Sequence, residues 1–284
     1  MTLTRRTFLQ GALATIAGGE LLTALGSHAA GGVLTSRLRI GSCVVNLEQA
    51  KQAALDGVEI RVGDPADRLR IADPAVRQDY KEQMKRTGLV ISSFMMGLLN
   101  TAPLASDPRA PAWLEQSIDA ARDLKVAVIL VAFFGKGNLL GPDNQLKRDE
   151  VRAVVGRLKA AAPRAADAGV VLAIENTLSA RQNAQILEEI GHQSVRVYYD
   201  VGNSTSRGYN VVEEIRFLRE RIACFHFKDR DRYLGEGTIQ FEPIASAITS
   251  INYHGWIVME TANPSRDPVA DARRNAAFIR RLFA

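Results

Sequence analysis

Four polar residues each close a different apolar run in the second half of this chain. They are Glu175 in "LAIENT", Asp200 in "VYYDVGN", His226 in "CFHFKD" and Glu260 in "IVMETAN". Three carboxylates and an imidazole converging alone would repel one another and lose hydration, at a cost of several kcal/mol. One divalent cation removes that cost, and the mixed oxygen and nitrogen donors suit Mn2+, Mg2+, Co2+ or Zn2+. The plainer reading is a scatter of separate salt bridges and a satisfied core histidine. The spacing is non-local, so no short motif decides between the two.

Side chains alternate along a strand. If Glu175 points inward, so do Ala173 and Val171, and the same rule pairs Tyr198 with Asp200, Cys224 with His226 and Val258 with Glu260. The opposite faces, with Ile174, Val197, Tyr199, Phe225, Phe227, Ile257 and Met259, are apolar enough to pack on helices. The parity is the same on all four runs.

Those runs belong to a longer rhythm. Strand candidates lie at 37–45, 58–62, 89–96, 126–134, 170–176, 195–201, 222–227 and 256–260. Between them come helical patterns such as "NLEQAKQAALDG", "DYKEQMKRTG", "RAPAWLEQSIDAARDLK", "AQILEEIG" and "VVEEIRFLRE", several stopped by a glycine; "DARRNAAFIRRLF" closes the chain. Near-continuous apolar strands alternating with helices indicate a parallel sheet covered on both faces. Eight such units predict an α/β fold, a single (β/α)8 TIM barrel over residues 30–284. An open doubly wound sheet is the alternative, but it usually carries a glycine-rich turn after the first strand, and "GSCVVNLEQ" is not one. In a barrel of this kind chemistry sits at the C-terminal strand ends, where the four residues fall.

Other residues qualify less strongly. Lys228 shares the parity of His226 and could reach a substrate oxygen, and Asp229 could hold a ligand or loop in place; a solvated loop with local ion pairs explains both equally. Gly235 and Gly237 flank Glu236 in a turn compatible with close substrate approach. Glu59 and Arg61 share parity on the second strand, as a structural ion pair or with Glu59 as a substrate contact. Trp113, Phe133 and Phe134 read as core before they read as an apolar wall over a bound ligand, Met95 and Met96 read as core, and Lys136 could be a lid contact on a glycine-flexible loop.

The chain has 284 residues, 46% apolar, with a net charge of +5. Its basic residues are scattered without interleaved aromatics, which argues against a nucleic-acid groove. At the N-terminus Arg5 and Arg6 precede an apolar run and a small-residue pattern at Ser27 and Ala29. That is the order of a twin-arginine export signal over residues 1–29, implying the twin-arginine machinery as partner and a periplasmic destination. Cys43 and Cys224 read as two buried thiols on strands one and seven, which are not neighbours.

The barrel rhythm, "GVEIR" on strand two, and the succession of Glu, Asp, "HFKD", "GEG" and Glu resemble the xylose isomerase-like TIM-barrel superfamily, in its sugar phosphate isomerase/epimerase branch. The resemblance implies that Glu175, Asp200, His226 and Glu260 hold one divalent metal, with Glu175 and Glu260 also carrying acid–base work. It implies a substrate-contacting role for Arg232, six residues past the histidine. Where ketose epimerases of that kind have a histidine three residues after the Asp ligand, this chain has Asn203, a departure that bears on substrate choice.

The implied function is a divalent-metal-dependent isomerase or epimerase of a sugar, keto-sugar or inositol derivative, moving protons between its glutamates and an enediolate. A keto-glycoside lyase or hydratase on the same site is one alternative. A non-catalytic exported carbohydrate-binding protein is another. Substrate-binding candidates are Arg232, Lys228, Glu236, Asn203 and Glu59. The expected partner is a small carbohydrate, and homo-oligomerisation is left open. Export favours an unphosphorylated substrate.

Overall fold

Eight apolar runs become eight parallel strands in the computed structural model, which describes residues 38–284. They are β1 (Arg39–Ser42), β2 (Gly57–Arg61), β3 (Val90–Met96), β4 (Val128–Ala132), β5 (Val171–Glu175), β6 (Val195–Asp200), β7 (Ile222–Phe227) and β8 (Trp256–Met259). Each pairs with its sequence neighbours, and β1 pairs with β8, so the sheet closes into a barrel. Closure excludes the open doubly wound alternative. The export-signal reading of residues 1–29 lies outside the described residues. Among those described, no helix is long and apolar enough to cross a membrane.

The helices are α1 (Leu47–Gln52), α2 (Pro74–Thr87), α3 (Ala110–Leu124), α4 (Arg148–Asp167) and α5 (Ala180–Ile190). Then follow α6 (Val201–Ser206), α7 (Val211–Leu218), α8 (Phe241–Ser250) and α9 (Pro268–Leu282). Their ends follow local chemistry. Asp73 caps α2 by accepting from Ala75 N at 2.9 Å, with Pro74 at the first helical position, where its missing N–H costs nothing. Gly88 ends that helix at φ 75°, in the left-handed region that favours glycine. Ser179 and Gln182 cap α5 reciprocally, so α5 begins four residues before the pattern "AQILEEIG".

The predicted alternation is visible in the packing. Ala173, Tyr198, Cys224 and Val258 fall in one small buried cluster with Val128, Leu130, Ala132 and Trp256, which fills the barrel. Ile174, Val197, Tyr199, Phe225, Phe227, Ile257 and Met259 join the larger cluster between sheet and helices. Burying one such large apolar side chain is worth about 1.5–3 kcal/mol, so a one-residue slip on any strand would be costly.

Three expectations hold for some of their residues and need correction for Cys43, Met95 and Phe134. Cys224 is buried on β7, but Cys43 lies one residue past β1 and is partly exposed; both thiols are free. Met96 is core, whereas Met95 is only partly buried and packs on the barrel-filling cluster. Trp113 and Phe133 are buried in the outer layer, and only Phe134 packs on the interior group. Parity separates Phe134 from Phe133, and the Trp113 indole N–H is spent on Ala66 O at 2.6 Å.

Candidate metal centre

Glu175 ends β5, Asp200 ends β6, His226 lies next to last on β7, and Glu260 directly follows β8. Asp200 and His226 are register partners across the β6–β7 ladder. One donor atom from each of the four lies within 4.8 Å of all the others. His226 Nδ1 is 2.8 Å from Glu175 Oε1, 3.8 Å from Glu260 Oε2 and 4.0 Å from Asp200 Oδ2. His226 is completely buried, and Glu175 and Asp200 nearly so. The structure therefore brings together the four residues that the strand ends singled out.

Lys228 joins them. Its Nζ lies 2.7 Å from Glu260 Oε2 and 2.8 Å from Asp200 Oδ2. The room for it comes from Gly202 at the start of α6, where a Cβ would stand 2.5 Å from Lys228 Cγ. Asp200 Oδ1 accepts the Asn203 backbone N–H at 2.7 Å and so caps α6. Asp200 Oδ2 is buried, with the Lys228 ammonium at 2.8 Å as its charge partner. Asn203 Nδ2 is buried without a partner.

The charges are strongly biased. Burial pushes the Glu175 carboxyl up to about 7, against the pull of His226. Burial also raises Asp200, though Lys228 and His226 oppose it. For Glu260 burial acts upward, yet His226 and Lys228 outweigh it and the group is held low. Burial disfavours charge on His226, but Glu175 and Glu59 overcome it and raise the imidazole well above its ordinary range. Lys228 is raised in the same way by Asp200 and Glu260. A pocket so rich in buried carboxylate favours cations.

The donor set fits a divalent metal. Oxygens and one imidazole nitrogen, converging within 4.8 Å and including a buried Asp200 oxygen whose charge partner is the mobile-ended Lys228 ammonium, are what a hard or borderline cation takes. A second trio, Cys43, Glu59 and His226, also converges, but it shares His226 with the first. Burial pushes the Cys43 thiol up to about 12, which disfavours the thiolate a metal would bind.

The remaining candidates sit elsewhere. Glu59 makes no ion pair with Arg61, which is exposed; it reaches across the barrel, its Oε1 3.0 Å from His226 Nε2. Arg232 is exposed, with Asp231 its nearest acid at 3.9 Å. Glu236 pairs with Arg274 on α9 and takes no part in the cluster. Lys136 is exposed on a short 3-10 turn at Gly135–Gly137. Ser93 had not stood out: its hydroxyl donates to Glu59 Oε2 at 2.7 Å. The available signal was a pair of serines inside the otherwise apolar run "VISSFMM".

A description of the xylose isomerase-like TIM barrel matches residues 47–282. The Escherichia coli K12 protein SgbU, which carries the provisional name L-ribulose-5-phosphate 3-epimerase, is 28% identical over 247 residues, covering 78% of this chain and 85% of its own. A ketose 3-epimerase of Arthrobacter globiformis is 24% identical over 254 residues, 84% of each chain. The E. coli 3-keto-D-glucoside 4-epimerase YcjR, in its apo crystal structure, superposes with a TM-score of 0.73 at 18% identity, over 86% of this chain and 100% of that one. These relatives agree with a sugar isomerase/epimerase-like enzyme.

Proposed function

We propose that this chain, which belongs to the xylose isomerase-like TIM barrel family, is a divalent-metal-dependent epimerase or isomerase of a keto-sugar. The observation that carries the proposal is the convergence of Glu175, Asp200, His226 and Glu260 from four consecutive strand ends on one point. These four residues would hold the cation. When bound, it would supply Lewis acidity toward neighbouring substrate oxygens, making the C–H beside a carbonyl more acidic.

The protein's own groups would do the rest. Glu175 and Glu260 come from β5 and from beyond β8, and an oxygen of each lies within 4.8 Å of the other. One takes the proton from the carbon beside the carbonyl; the other returns a proton to the opposite face or the adjacent carbon. Lys228, already bridging Asp200 and Glu260, would place its ammonium beside the oxygen that gains negative charge. Phe134 and Met95, both partly buried at the inner cluster, offer apolar contact to a sugar ring. Arg232 and Asn203 remain substrate contacts in this reading, Asn203 through its unpartnered amide.

The names of the relatives cover ketoses, ketose phosphates and a keto-glucoside; all offer a carbonyl next to a C–H that bears a hydroxyl. The twin-arginine pattern at Arg5 and Arg6 supports export, and with it an unphosphorylated ketose or keto-glycoside. The test is exchange of substrate C–H with deuterated water, screened over ketoses and keto-glycosides with Mn2+ present. Exchange with an epimeric product supports the reading, and exchange with an eliminated product would make the enzyme a lyase. No exchange on any of them, by protein that holds metal, would sink it.

A further inference from the structure

We propose that Glu59 is a positioning residue that fixes the tautomer and tilt of His226, so that Nδ1 carries the lone pair offered to the cation. The inference rests on the reading that His226 is one of four metal ligands. An imidazole can give a metal only a nitrogen without a proton, and the bond made by its other nitrogen decides which one that is.

The two nitrogens of His226 have different surroundings. Nδ1 faces Glu175, Asp200 and Glu260. Nε2 faces Glu59 Oε1 at 3.0 Å. A carboxylate oxygen at this distance accepts from the ring, so the Glu59 contact favours a proton on Nε2; Nδ1, which lies 2.8 Å from Glu175 Oε1 and faces the other three ligands, is the nitrogen that would give up its proton to a cation. The second oxygen of Glu59 is also committed: Ser93 Oγ–H donates to Oε2 at 2.7 Å, and Ser93 Oγ lies 3.3 Å from the Tyr198 hydroxyl. The Tyr198 ring rests against the imidazole, with centroids 4.4 Å apart and planes tilted by 52°.

Glu59, Ser93 and Tyr198 thus form a chain through the barrel interior that returns to the ring it orients. The Glu59 side chain has no exposure at all. With both oxygens engaged inside the barrel, the substrate contact expected from the sequence is replaced by a contact to the histidine. A buried carboxylate against Nε2–H also makes Nδ1 more basic, which strengthens it as a ligand.

The test uses full-length protein and three variants, Glu59→Gln, Glu59→Leu and Ser93→Ala. Zn2+ affinity is measured by competition with a chromophoric chelator, and the 15N shifts of His226 are read in the Zn2+-loaded wild type. The expected spectrum has a protonated Nε2 and a metal-bound Nδ1. E59L should lose roughly 10–100-fold in Zn2+ affinity. E59Q, whose amide oxygen still accepts from Nε2–H, should lose less, and S93A a few-fold. Should E59L fail to fold, S93A and the wild-type spectrum still decide.

A proton on Nδ1 of the loaded wild type, or full affinity in E59Q and S93A, overturns the inference. If the wild type binds Zn2+ and the variants match it, the positioning role alone fails. If the wild type binds no Zn2+, the metal-site reading fails with it.

Discussion

Gly237 donates its backbone N–H to Asp229 Oδ2 at 2.9 Å, and a Cβ at Gly237 would stand only 2.1 Å from Asp229 Oδ1. The loop after β7 is wound around this one carboxylate, which is fully buried and also accepts from Gly235, Thr238 and Ile239. Gly235 adopts φ 80° and passes close to Phe278 on α9. The glycines of "GEG" therefore serve a close approach, but of protein groups, and Asp229 holds the loop that begins two residues past His226.

Removing this anchor should destabilise the barrel. Asp229→Ala leaves the loop amides unpaired and should cost about 2–4 kcal/mol. Gly237→Ala should cost about 1–3 kcal/mol by crowding the same carboxylate. The double variant should cost less than the sum, because the clash disappears with the carboxylate. Urea unfolding of the four proteins measures this, and strict additivity would contradict the picture.

Lys228 should matter most when no metal is present. Lys228→Met removes the ammonium between Asp200 and Glu260 and should cost about 1–3 kcal/mol in the presence of a chelator, after allowance for its partial exposure. A cation that binds only the folded protein adds stability by mass action, and it also relieves these two carboxylates. Saturating Mn2+ should therefore raise both melting temperatures and narrow the gap between them. A gap of the same size with and without Mn2+ would count against a shared electrostatic role.

The two thiols should be inert while the protein is folded. Burial pushes both Cys43 and Cys224 up to about 12, so neither is an appreciable thiolate at pH 8. Modification by a thiol reagent should be at least roughly 100-fold slower than in urea, with partly exposed Cys43 reacting before Cys224. The sign for stability follows: the unfolded chain releases these protons near pH 8.5 and the folded one does not. The thiol contribution is thus complete below that pH and falls as pH rises toward 12. Native labelling of Cys224 as fast as in urea would refute its burial.

Much of this architecture was legible because strand parity is a local property. "LAIEN", "VYYDV", "CFHF" and "WIVME" each state which residues share a face, and closure of the sheet then forces those faces together. What crosses the barrel was not legible. Glu59 on β2 meets His226 on β7, and these strands are not ladder neighbours. Parity placed Glu59 inside but could not say which side chain it would reach, so Arg61, its nearest same-parity neighbour, was the natural and mistaken partner. Ser93 was missed for the same reason, since its importance comes only from Glu59. The direction of Glu236 was not legible because a loop has no parity; it is set by Asp229 and by Arg274 on α9.

The central claim is that Glu175, Asp200, His226 and Glu260 jointly hold one cation. Mn2+ titration followed by electron paramagnetic resonance, on the wild type and on E175Q, D200N, H226Q and E260Q, tests it most directly. The account predicts one tightly held Mn2+ per chain, with a nitrogen coupling lost in H226Q and affinity lowered at least about tenfold in each variant. A wild type that holds no Mn2+, or four variants that hold it as tightly as the wild type, would contradict it.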